Sequence, residues 1–335
     1  RLPARVHEHF LHEHFLDVMT HQHPAEVERA ARAVAQADFL LVTTGAGMSA
    51  DSGLPVFAAL SNHPAMRDRG LTYDQIASPD MLVKGPETFY GFWLTCRSNY
   101  LEAVPHQGYA VIKRWMDRLP SAASLCVTSN VDGFIQRAGV PDANVAQIHG
   151  QCVGAWQCGG VPNRERPHFP LYERDGCGAL FEPALDGLTL DRVNLRATPS
   201  EGGTWPTCPS CGGAARPNVY LFGDGSRFRD DARVTKHQAW TGWKAGVLAA
   251  LKSDPSRKLV VVEVGCGLRI PSIRKRGEEL CAAAPVGQCD LVRINPQHAE
   301  QYQLVKPTIV LPSAGEATLV AIDQEMRRLA PRVGR

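Results

Sequence analysis

The chain has 335 residues, and its 36 lysines and arginines nearly balance its 34 aspartates and glutamates, leaving a formal net charge of +2. This balance argues against a strongly basic surface for nucleic acid, and a hydrophobic fraction of 44% excludes a mainly disordered chain. No run of 18 apolar residues occurs, so no membrane-spanning helix is predicted. The length favours one large domain and a smaller one.

The first 23 residues form a His-rich extension that contains six of the twelve histidines. Residues 7–11 (HEHFL) are repeated directly at 12–16. The segment could be a metal-chelating tail or a solvated, partly helical extension. The second interpretation is favoured because nothing fixes a ligand geometry. No basic stretch precedes a long apolar run, so no secretory signal is expected.

From residue 24 onward, short apolar runs alternate with stretches of helical periodicity. Such runs are typical of strands that are buried on both faces of a parallel sheet. Strands are predicted at 39–43, 125–128, 145–148, 219–222, 258–264, 291–294 and 308–311. Helices are predicted at 25–37, within a helical excursion at 58–105, and at 111–119, 240–252 and 315–330. The alternation predicts an α/β fold with a Rossmann-like, doubly wound parallel sheet.

The turn after the first predicted strand carries Gly45, Ala46 and Gly47. Glycines allow a backbone to approach a pyrophosphate closely, and the start of the following helix presents unpaired N–H groups. The third glycine of the usual dinucleotide fingerprint is missing. Taken alone, the motif could also be a tight turn in any α/β sheet.

Polar residues and glycines directly follow several of the other predicted strands. In open α/β sheets, ligands bind outside the carboxyl ends of the strands, so these residues should converge on one crevice. They are Asn130, Asp132, His149, Gly265, Gly267 and Asn295. His149 could act as a general base near neutral pH. The alternative is that it is a structural histidine.

Residues 151–213 are rich in glycine, proline and cysteine and have little periodicity. Within them, Cys208 and Cys211 form a Cys-x-x-Cys followed by two glycines, which is typical of a zinc knuckle. We therefore predict a small, zinc-ribbon-like module at 151–213. It would be inserted into a discontinuous nucleotide-binding domain made of residues 24–150 and 214–335.

The upstream half of the predicted zinc site is imperfect, because Val161 stands where a second cysteine would follow Cys158. The predicted ligands are Cys158, Cys177, Cys208 and Cys211. Cys152 or His168 could substitute for one of them, and a redox Cys-x-x-Cys is the less favoured alternative. The other cysteines are expected to be mostly small core residues; they are Cys96, Cys126, Cys266, Cys281 and Cys289.

Taken together, the motifs at the strand ends resemble those of the sirtuins. Residues 45–57 (GAGMSADSGLPVF) are similar to the opening motif of that family, and residues 128–132 (TSNVD) resemble its Thr-Gln-Asn-Ile-Asp segment. Residues 148–150 resemble the catalytic His-Gly, and residues 216–224 (RPNVYLFGD) resemble the Arg-Pro-x-Val-x-Phe-Gly-Glu strand. Further along in the same order, Gly-Cys-Gly at 265–267 stands where sirtuins have Gly-Thr-Ser, and Arg-Ile-Asn at 293–295 stands where they have Ile-Asn.

The resemblance implies that NAD⁺ binds in the cleft between a Rossmann-like domain and an inserted zinc module. In sirtuins the nicotinamide–ribose bond breaks, an acyl-lysine carbonyl oxygen attacks the ribose carbon, and a histidine deprotonates a ribose hydroxyl. By position, His149 would be the base and Asn130 would orient ribose and water. An acylated protein or peptide would add as a strand beside residues 219–222 through main-chain hydrogen bonds.

The resemblance also implies a set of NAD⁺ contacts. The glycine turn and Ser49 would line the phosphates, Asp132 would hold the nicotinamide amide, and Phe57 would shield the reacting centre. The full set of expected contacts is Gly45, Ala46, Gly47, Ser49, Ser52, Phe57, Ser129, Asn130, Asp132, Gly265, Cys266, Gly267 and Asn295.

The chain departs from the family pattern at several positions. Val56 and Ala58 stand where the family has the aspartate and arginine of Pro-Asp-Phe-Arg, and that arginine usually helps to hold the cofactor. Ser129 replaces a glutamine, and Asp224 replaces the glutamate after Phe-Gly. These losses fall on the cofactor loop and on peptide contacts, so they affect substrate identity more than NAD⁺ binding.

The leading hypothesis is an NAD⁺-dependent protein-lysine deacylase that transfers the acyl group to ADP-ribose. A mono-ADP-ribosyltransferase or NAD⁺ hydrolase would use the same bond cleavage, and a non-catalytic NAD⁺ or ADP-ribose binding module is the third interpretation. Retention of Asn130 and His149 argues against the third, whereas the missing arginine at position 58 favours it. Direct contact with nucleic acid or a membrane is not expected. The scattered thiols predict a reducing compartment, the cytoplasm or, in a eukaryote, the nucleus.

Overall fold

A computed structural model describes residues 23–56, 60, 62–162, 172–225 and 231–330. Nearly all of the His-rich extension lies outside these ranges, and so do Phe57, Ala58 and His168. Within the described ranges, none of the helices has both the length and the apolar character needed to cross a bilayer.

A six-stranded parallel sheet forms the centre of the molecule and confirms the predicted α/β fold. Its strand order is β13-β12-β11-β1-β2-β3. The strands are β1 (Phe39–Thr44), β2 (Ser124–Thr128), β3 (Val145–Gln147), β11 (Leu259–Val264), β12 (Cys289–Ile294) and β13 (Ile309–Leu311). The last residue of β1, Thr44, pairs with Thr128 and with Val264, so three neighbouring strands end at the same level. Residues that follow these strands therefore meet at one edge of the sheet.

Helices cover both faces of this sheet, which explains why its strands read as continuous apolar runs. One face packs against α1 (Pro24–Ala35), α6 (Gln107–Asp117), α7 (Phe134–Arg137) and α10 (Gly315–Leu329), and the other against α8 (Asp231–Ser253) and α9 (Ser272–Ala283). Alternate residues of each strand face opposite sides: Val260 and Val262 belong to the first core, whereas Leu259 and Val261 belong to the second.

The helical excursion between β1 and β2 contains four described helices. They are α2 (Pro64–Arg67), α3 (Tyr73–Ile76), α4 (Pro79–Lys84) and α5 (Pro86–Glu102). The aromatic side chains of α5 form a third core with the inserted segment, in which the Tyr90 ring stacks on Trp156 and on Trp205. This core positions α3 and α5 beside the edge of the sheet where the polar residues meet.

The segment between the two halves of the sheet domain forms small antiparallel sheets. The strands are β4 (Gly150–Cys158), β5 (Val161–Pro162), β6 (Tyr172–Arg174), β7 (Leu180–Phe181), β8 (Leu188–Asp191), β9 (Arg196–Pro199) and β10 (Ala215–Val219). β4 lies between β10 and β7, while β5 pairs with β6 and β8 with β9.

The strand predicted at 219–222 is wrong in its bounds, because β10 ends at Val219 and pairs with β4 rather than joining the parallel sheet. Beyond Val219, the Tyr220 N–H donates to the His149 carbonyl and the Phe222 N–H to the Ala77 carbonyl, both outside any strand ladder. The apolar character of this segment comes from packing against α3 and α5 and not from sheet pairing.

Candidate active site

A cavity of about 530 Å³ opens where the strands of the parallel sheet end. Its volume lies in the range of small-molecule sites, roughly 300 to 1,000 Å³. Residues from four separate parts of the sequence, all predicted as site residues, line it together. They are Gly45, Ala46, Ser49, Ser129, Asn130, Asp132, His149, Cys266 and Gly267.

A hydrogen-bond network centred on Ser49 fixes the polar side of the cavity. The Ser49 hydroxyl donates to an Asp132 carboxylate oxygen at 2.6 Å, so it can only accept from the Asn130 amide at 2.9 Å and from the Tyr109 hydroxyl at 2.9 Å. The second amide hydrogen of Asn130 goes to the Gly45 carbonyl at 2.9 Å. Both hydrogens are thus used, and the Asn130 carbonyl oxygen is the part of the amide that can serve a ligand hydroxyl.

Burial is the main influence on the pKa of the Asp132 carboxyl group. Its side chain is almost completely enclosed, and this desolvation raises its pKa. Hydrogen bonds from Ser49 and from the Phe134 N–H, together with the charge of Arg137, oppose the shift without cancelling it. Asp132 is therefore placed to bind a neutral amide group, to which a carboxyl group can donate or accept a hydrogen bond.

His149 reaches the cavity from the turn after β3. The Ile148 N–H donates to the Thr128 carbonyl at 2.9 Å, and the His149 carbonyl accepts from the Tyr220 N–H at 2.9 Å. These backbone bonds fix the position of the histidine from both sides, and its side chain lies in the same wall as Asn130. A histidine and a polar amide thus line the same cavity.

Glycines allow the turn after β1 to pack against the turn after β11. The Gly47 N–H donates to the Gly265 carbonyl at 3.0 Å, and a Cβ added to Gly45 would lie 2.7 Å from that same oxygen. Gly265 has a φ of +63°, and its own Cβ would meet the Met48 nitrogen at 2.2 Å. Gly47 and Gly265 pack directly behind the residues that line the cavity.

Two other predicted contacts also lie behind the wall. The Ser52 hydroxyl accepts the His106 N–H at 3.0 Å, and the Asn295 amide donates to the Cys266 carbonyl at 2.9 Å. Neither residue lines the cavity. Phe57, predicted to shield the reacting centre, lies outside the described residues.

A buried group of four charges supports the turn that carries Cys266. Glu263 contacts Arg293 at 2.8 Å and Arg274 at 3.4 Å, and Glu278 contacts Arg293 at 2.7 Å. Arg274 also donates to the Cys266 carbonyl at 2.7 Å. Sequence reasoning missed this group, although a glutamate in the most apolar strand of the chain was a visible signal.

Residues 219–223 line the cavity, and a buried ion pair fixes the segment 219–224. Arg216 donates to both Asp224 carboxylate oxygens, at 2.6 and 2.5 Å, and to the Val219 carbonyl at 2.7 Å. The Leu221 N–H donates to Asp224 at 2.6 Å. Asp224, which replaces the family's glutamate, therefore holds this wall from within.

Replacing Asp224 with asparagine is expected to lower the free energy of unfolding by about 3 kcal/mol. The change would leave the buried Arg216 guanidinium without its counter-charge. Chemical denaturation would measure it. The matched control is Asp80→Asn, which breaks an exposed pair with Lys84 and should have only a small effect. Equal effects of the two substitutions would contradict the structural role of the buried pair.

The four predicted zinc ligands come together at one end of the inserted segment. The sulfur atoms of Cys158, Cys177, Cys208 and Cys211 all lie within 4.8 Å of one another. The Cys158–Cys211 and Cys177–Cys208 sulfur distances are 3.4 and 3.7 Å. Tetrahedral zinc with Zn–S bonds of about 2.3 Å places sulfurs roughly 3.8 Å apart, so the cluster fits this metal.

Glycines complete the geometry of the cysteine cluster. Gly212 has a φ of +71°, and its N–H donates to the Cys208 carbonyl at 2.8 Å. A Cβ on Gly213 would lie 3.2 Å from the Cys158 sulfur. Cys152, the alternative ligand, is buried beside the Trp93 carbonyl and is not in the cluster.

Sequence comparison shows that the chain is similar to proteins named NAD-dependent protein deacylases and deacetylases. The chain is 29% identical over 197 residues to NAD-dependent protein deacylase 2 of Pseudomonas aeruginosa, covering 58% of this chain and 65% of that protein, slightly less than two thirds of its length. It is 27% identical over 261 residues to NAD-dependent protein deacylase Sir2 of Mycolicibacterium smegmatis, covering 76% and 84% of the two chains.

Solved structures show the same fold. A Sir2 homolog–NAD complex aligns with a TM-score of 0.56 at 18% identity, covering 90% of this chain and 94% of the other. Sir2 bound to acetylated peptide aligns with a TM-score of 0.54 at 17% identity, covering 89% and 94%. The sequence model of the Sir2 family matches residues 45–239, more than half of the chain. The chain therefore belongs to the Sir2 family.

Proposed function

We propose that this protein is an NAD⁺-dependent protein-lysine deacylase that transfers the acyl group of its substrate to ADP-ribose. The observation that carries the proposal is the convergence of Asn130, Asp132 and His149 on one cavity, connected through Ser49. Relatives named NAD-dependent protein deacylases support the same reaction.

The residues present fit NAD⁺. The cavity combines backbone of the glycine turn, an amide oxygen on Asn130 and a buried acid on Asp132, which suit phosphate, ribose hydroxyl and carboxamide respectively. When bound, NAD⁺ supplies the nicotinamide–ribose bond whose cleavage drives acyl removal. Asn130 would accept a hydrogen bond from a ribose hydroxyl, Asp132 would orient the amide, and His149 would take the proton of a ribose hydroxyl.

The acyl-lysine peptide would lie along the wall formed by residues 219–224. Solved structures of Sir2 bound to acetylated peptide and of Sir2 with p53 peptide and NAD⁺ support this class of substrate. The amide N–H groups of Tyr220, Leu221 and Phe222 are already bonded within the chain. A peptide strand here would therefore have to donate its own N–H groups to carbonyl oxygens of the wall.

One assay tests the proposal directly. The full chain is incubated with NAD⁺ and an acetyl-lysine peptide, and released nicotinamide and peptide mass are followed, with the unacetylated peptide as control. We expect nicotinamide release that needs the acetyl group and matches its loss one to one. Release that is independent of the peptide would replace the proposal by NAD⁺ hydrolysis or self-ADP-ribosylation. NAD⁺ binding without any release would leave a non-catalytic module.

We also propose that the protein works in a reducing compartment, the cytoplasm. Six described cysteines outside the zinc cluster are free thiols. Cys96, Cys126, Cys152 and Cys266 are buried, whereas Cys281 and Cys289 are half-buried. A four-thiolate zinc site also needs reduced cysteines.

A further inference from the structure

A second cavity, with a volume of about 300 Å³, lies beside β3, the edge strand of the parallel sheet. We call it the edge cavity. Its walls come from residues 146–148 at the end of β3, from α8 and from α9. Among the described residues it shares no lining residue with the active-site cavity, and no residue of its wall has a part in the proposed reaction.

Basic side chains line the edge cavity, and within the described ranges no acidic side chain does. Arg276 belongs to α9, whereas Lys236 and His237 belong to α8. Outside the wall, the exposed carboxylate of Asp142 accepts a hydrogen bond from the Lys236 ammonium at 2.6 Å. Burial lowers the pKa of Arg276, and the charge of Glu279 opposes this shift without cancelling it. The chain itself therefore compensates the guanidinium charge only in part.

Arg276 also has hydrogen-bond donors that the described part of the chain leaves unused. Among the described residues its guanidinium makes no hydrogen bond, and its central carbon lies 5.8 Å from the centre of the Trp240 ring. The Lys236 ammonium donates to the carboxylate and to the carbonyl of Asp142, which leaves one of its three hydrogens. The cavity wall can therefore donate several hydrogen bonds to an anion.

Gln147 adds a buried donor on the side of the strand. Its amide nitrogen is shielded from solvent and has no hydrogen-bond partner within the described ranges. Buried polar groups are nearly always hydrogen-bonded, so an unpaired donor in a cavity wall points to an acceptor from outside the chain. The last torsion of a glutamine side chain is soft, so the amide can turn toward a ligand in the cavity.

The rest of the wall is apolar. Ala146 and Trp240 are buried, and Ile148 lines the cavity between them and the turn that carries His149. The volume is close to the lower limit of small-molecule sites, about 300 Å³. A ligand that matches this wall is small and has an anionic group at one end and an apolar body.

We propose that the edge cavity binds a small organic carboxylate, whose carboxylate group contacts Arg276 and Gln147 and whose apolar part lies against Ile148 and Trp240. The planar guanidinium of arginine can bind both oxygens of a carboxylate at once, which makes this the strongest contact available in the cavity. The inference does not depend on the proposed deacylase function, because the two cavities use different residues.

The test compares an aromatic acid with its neutral analogue. Binding of 4-fluorobenzoate and of 4-fluorobenzyl alcohol to the full chain is followed by fluorine NMR. We expect the Kd of the acid to be lower by at least about tenfold, because only the acid has a charge for Arg276. No binding of the acid, or equal binding of the two probes, would overturn the proposal.

Two competitors define the site further in the same measurement. Saturating NAD⁺ should leave 4-fluorobenzoate bound, whereas displacement by NAD⁺ would assign the probe to the active-site cavity and overturn the proposal. Inorganic phosphate at the concentration of the probe should displace little of it, because phosphate has no apolar part. Full displacement by phosphate would overturn the assignment to organic acids.

A variant assigns the binding to the edge cavity. Arg276→Gln is expected to raise the Kd of 4-fluorobenzoate by at least about tenfold and to leave that of the alcohol nearly unchanged. The matched control is Lys275→Gln, since Lys275 is an exposed cation on the same helix and does not line the cavity. An unchanged Kd in folded Arg276→Gln protein would contradict the proposal. If that variant fails to fold, the two probes and the NAD⁺ competition on the wild-type chain decide.

Discussion

Replacing His149 with alanine is expected to lower kcat by at least about 100-fold, because the substitution removes the only proposed proton acceptor for the ribose hydroxyl. NAD⁺ binding should persist. The backbone at this position is fixed by the bonds of Ile148 to Thr128 and of His149 to Tyr220, which do not involve the imidazole. The described hydrogen bonds of Ser49, which shape the polar side of the cavity, go to Tyr109, Asp132 and Asn130 and not to the imidazole.

Two measurements on the His149→Ala protein separate these effects. Nicotinamide and deacylated peptide report turnover, and isothermal titration with NAD⁺ reports binding. The control is His237→Ala, because His237 is exposed and lies outside the cavity wall. Unchanged turnover would remove His149 as the base. Loss of NAD⁺ binding together with turnover would assign the side chain a binding role instead.

The positions of the central strands could be predicted from the sequence because burial on both faces leaves a direct signature. The strand predicted at 258–264 is apolar at every position except Lys258 and Glu263, and β11 occupies nearly the same positions. The convergence of Asn130 and His149 followed from the same logic, since parallel strands deliver the residues after them to one edge.

The supporting contacts of the site could not be predicted in this way. Tyr109 bonds to Ser49 across 60 positions of sequence, and the His106 ring contacts the Met48 carbonyl at 2.7 Å. Both side chains come from α6 or its N-terminal end, and nothing in the local pattern distinguishes them from ordinary core or capping residues. Such contacts depend on how α6 packs against the sheet, which periodicity does not define.

The error at 219–222 has a similar cause. An apolar run of four residues fits a buried strand. Here, however, the ion pair between Arg216 and Asp224 connects the two ends of the segment that contains this run. An ion pair between residues eight positions apart can override the strand preference of the residues between them. Asp224, which stands where the family has a glutamate, therefore makes its ion pair within the same segment of the chain.

The cysteine cluster leads to the second large prediction: Cys208→Ser should abolish zinc binding and destabilise the inserted segment. Cys208 is almost completely buried, and the cluster links the end of β4 to segments that are distant in sequence. Structural zinc contributes directly to folding free energy because its site does not exist in the unfolded chain.

Metal analysis should give one zinc per wild-type chain and none in Cys208→Ser, and the variant should have a lower melting temperature. The matched control is Cys289→Ser, a half-buried cysteine outside the cluster.

Acidification should release the zinc for a reason that the cluster itself supplies. Burial raises the pKa of Cys158 to about 12 in the metal-free protein, whereas a hydrogen bond from the Gly213 N–H lowers the pKa of Cys211 to about 7. Zinc binds thiolates, so zinc binding must displace the Cys158 proton at every physiological pH. The affinity for zinc should therefore fall at least about tenfold each time the pH is lowered by one unit. Zinc affinity measured against a competing chelator between pH 8 and pH 6 would show this slope. An affinity that does not change over this range would mean that the four sulfurs do not bind the metal as thiolates.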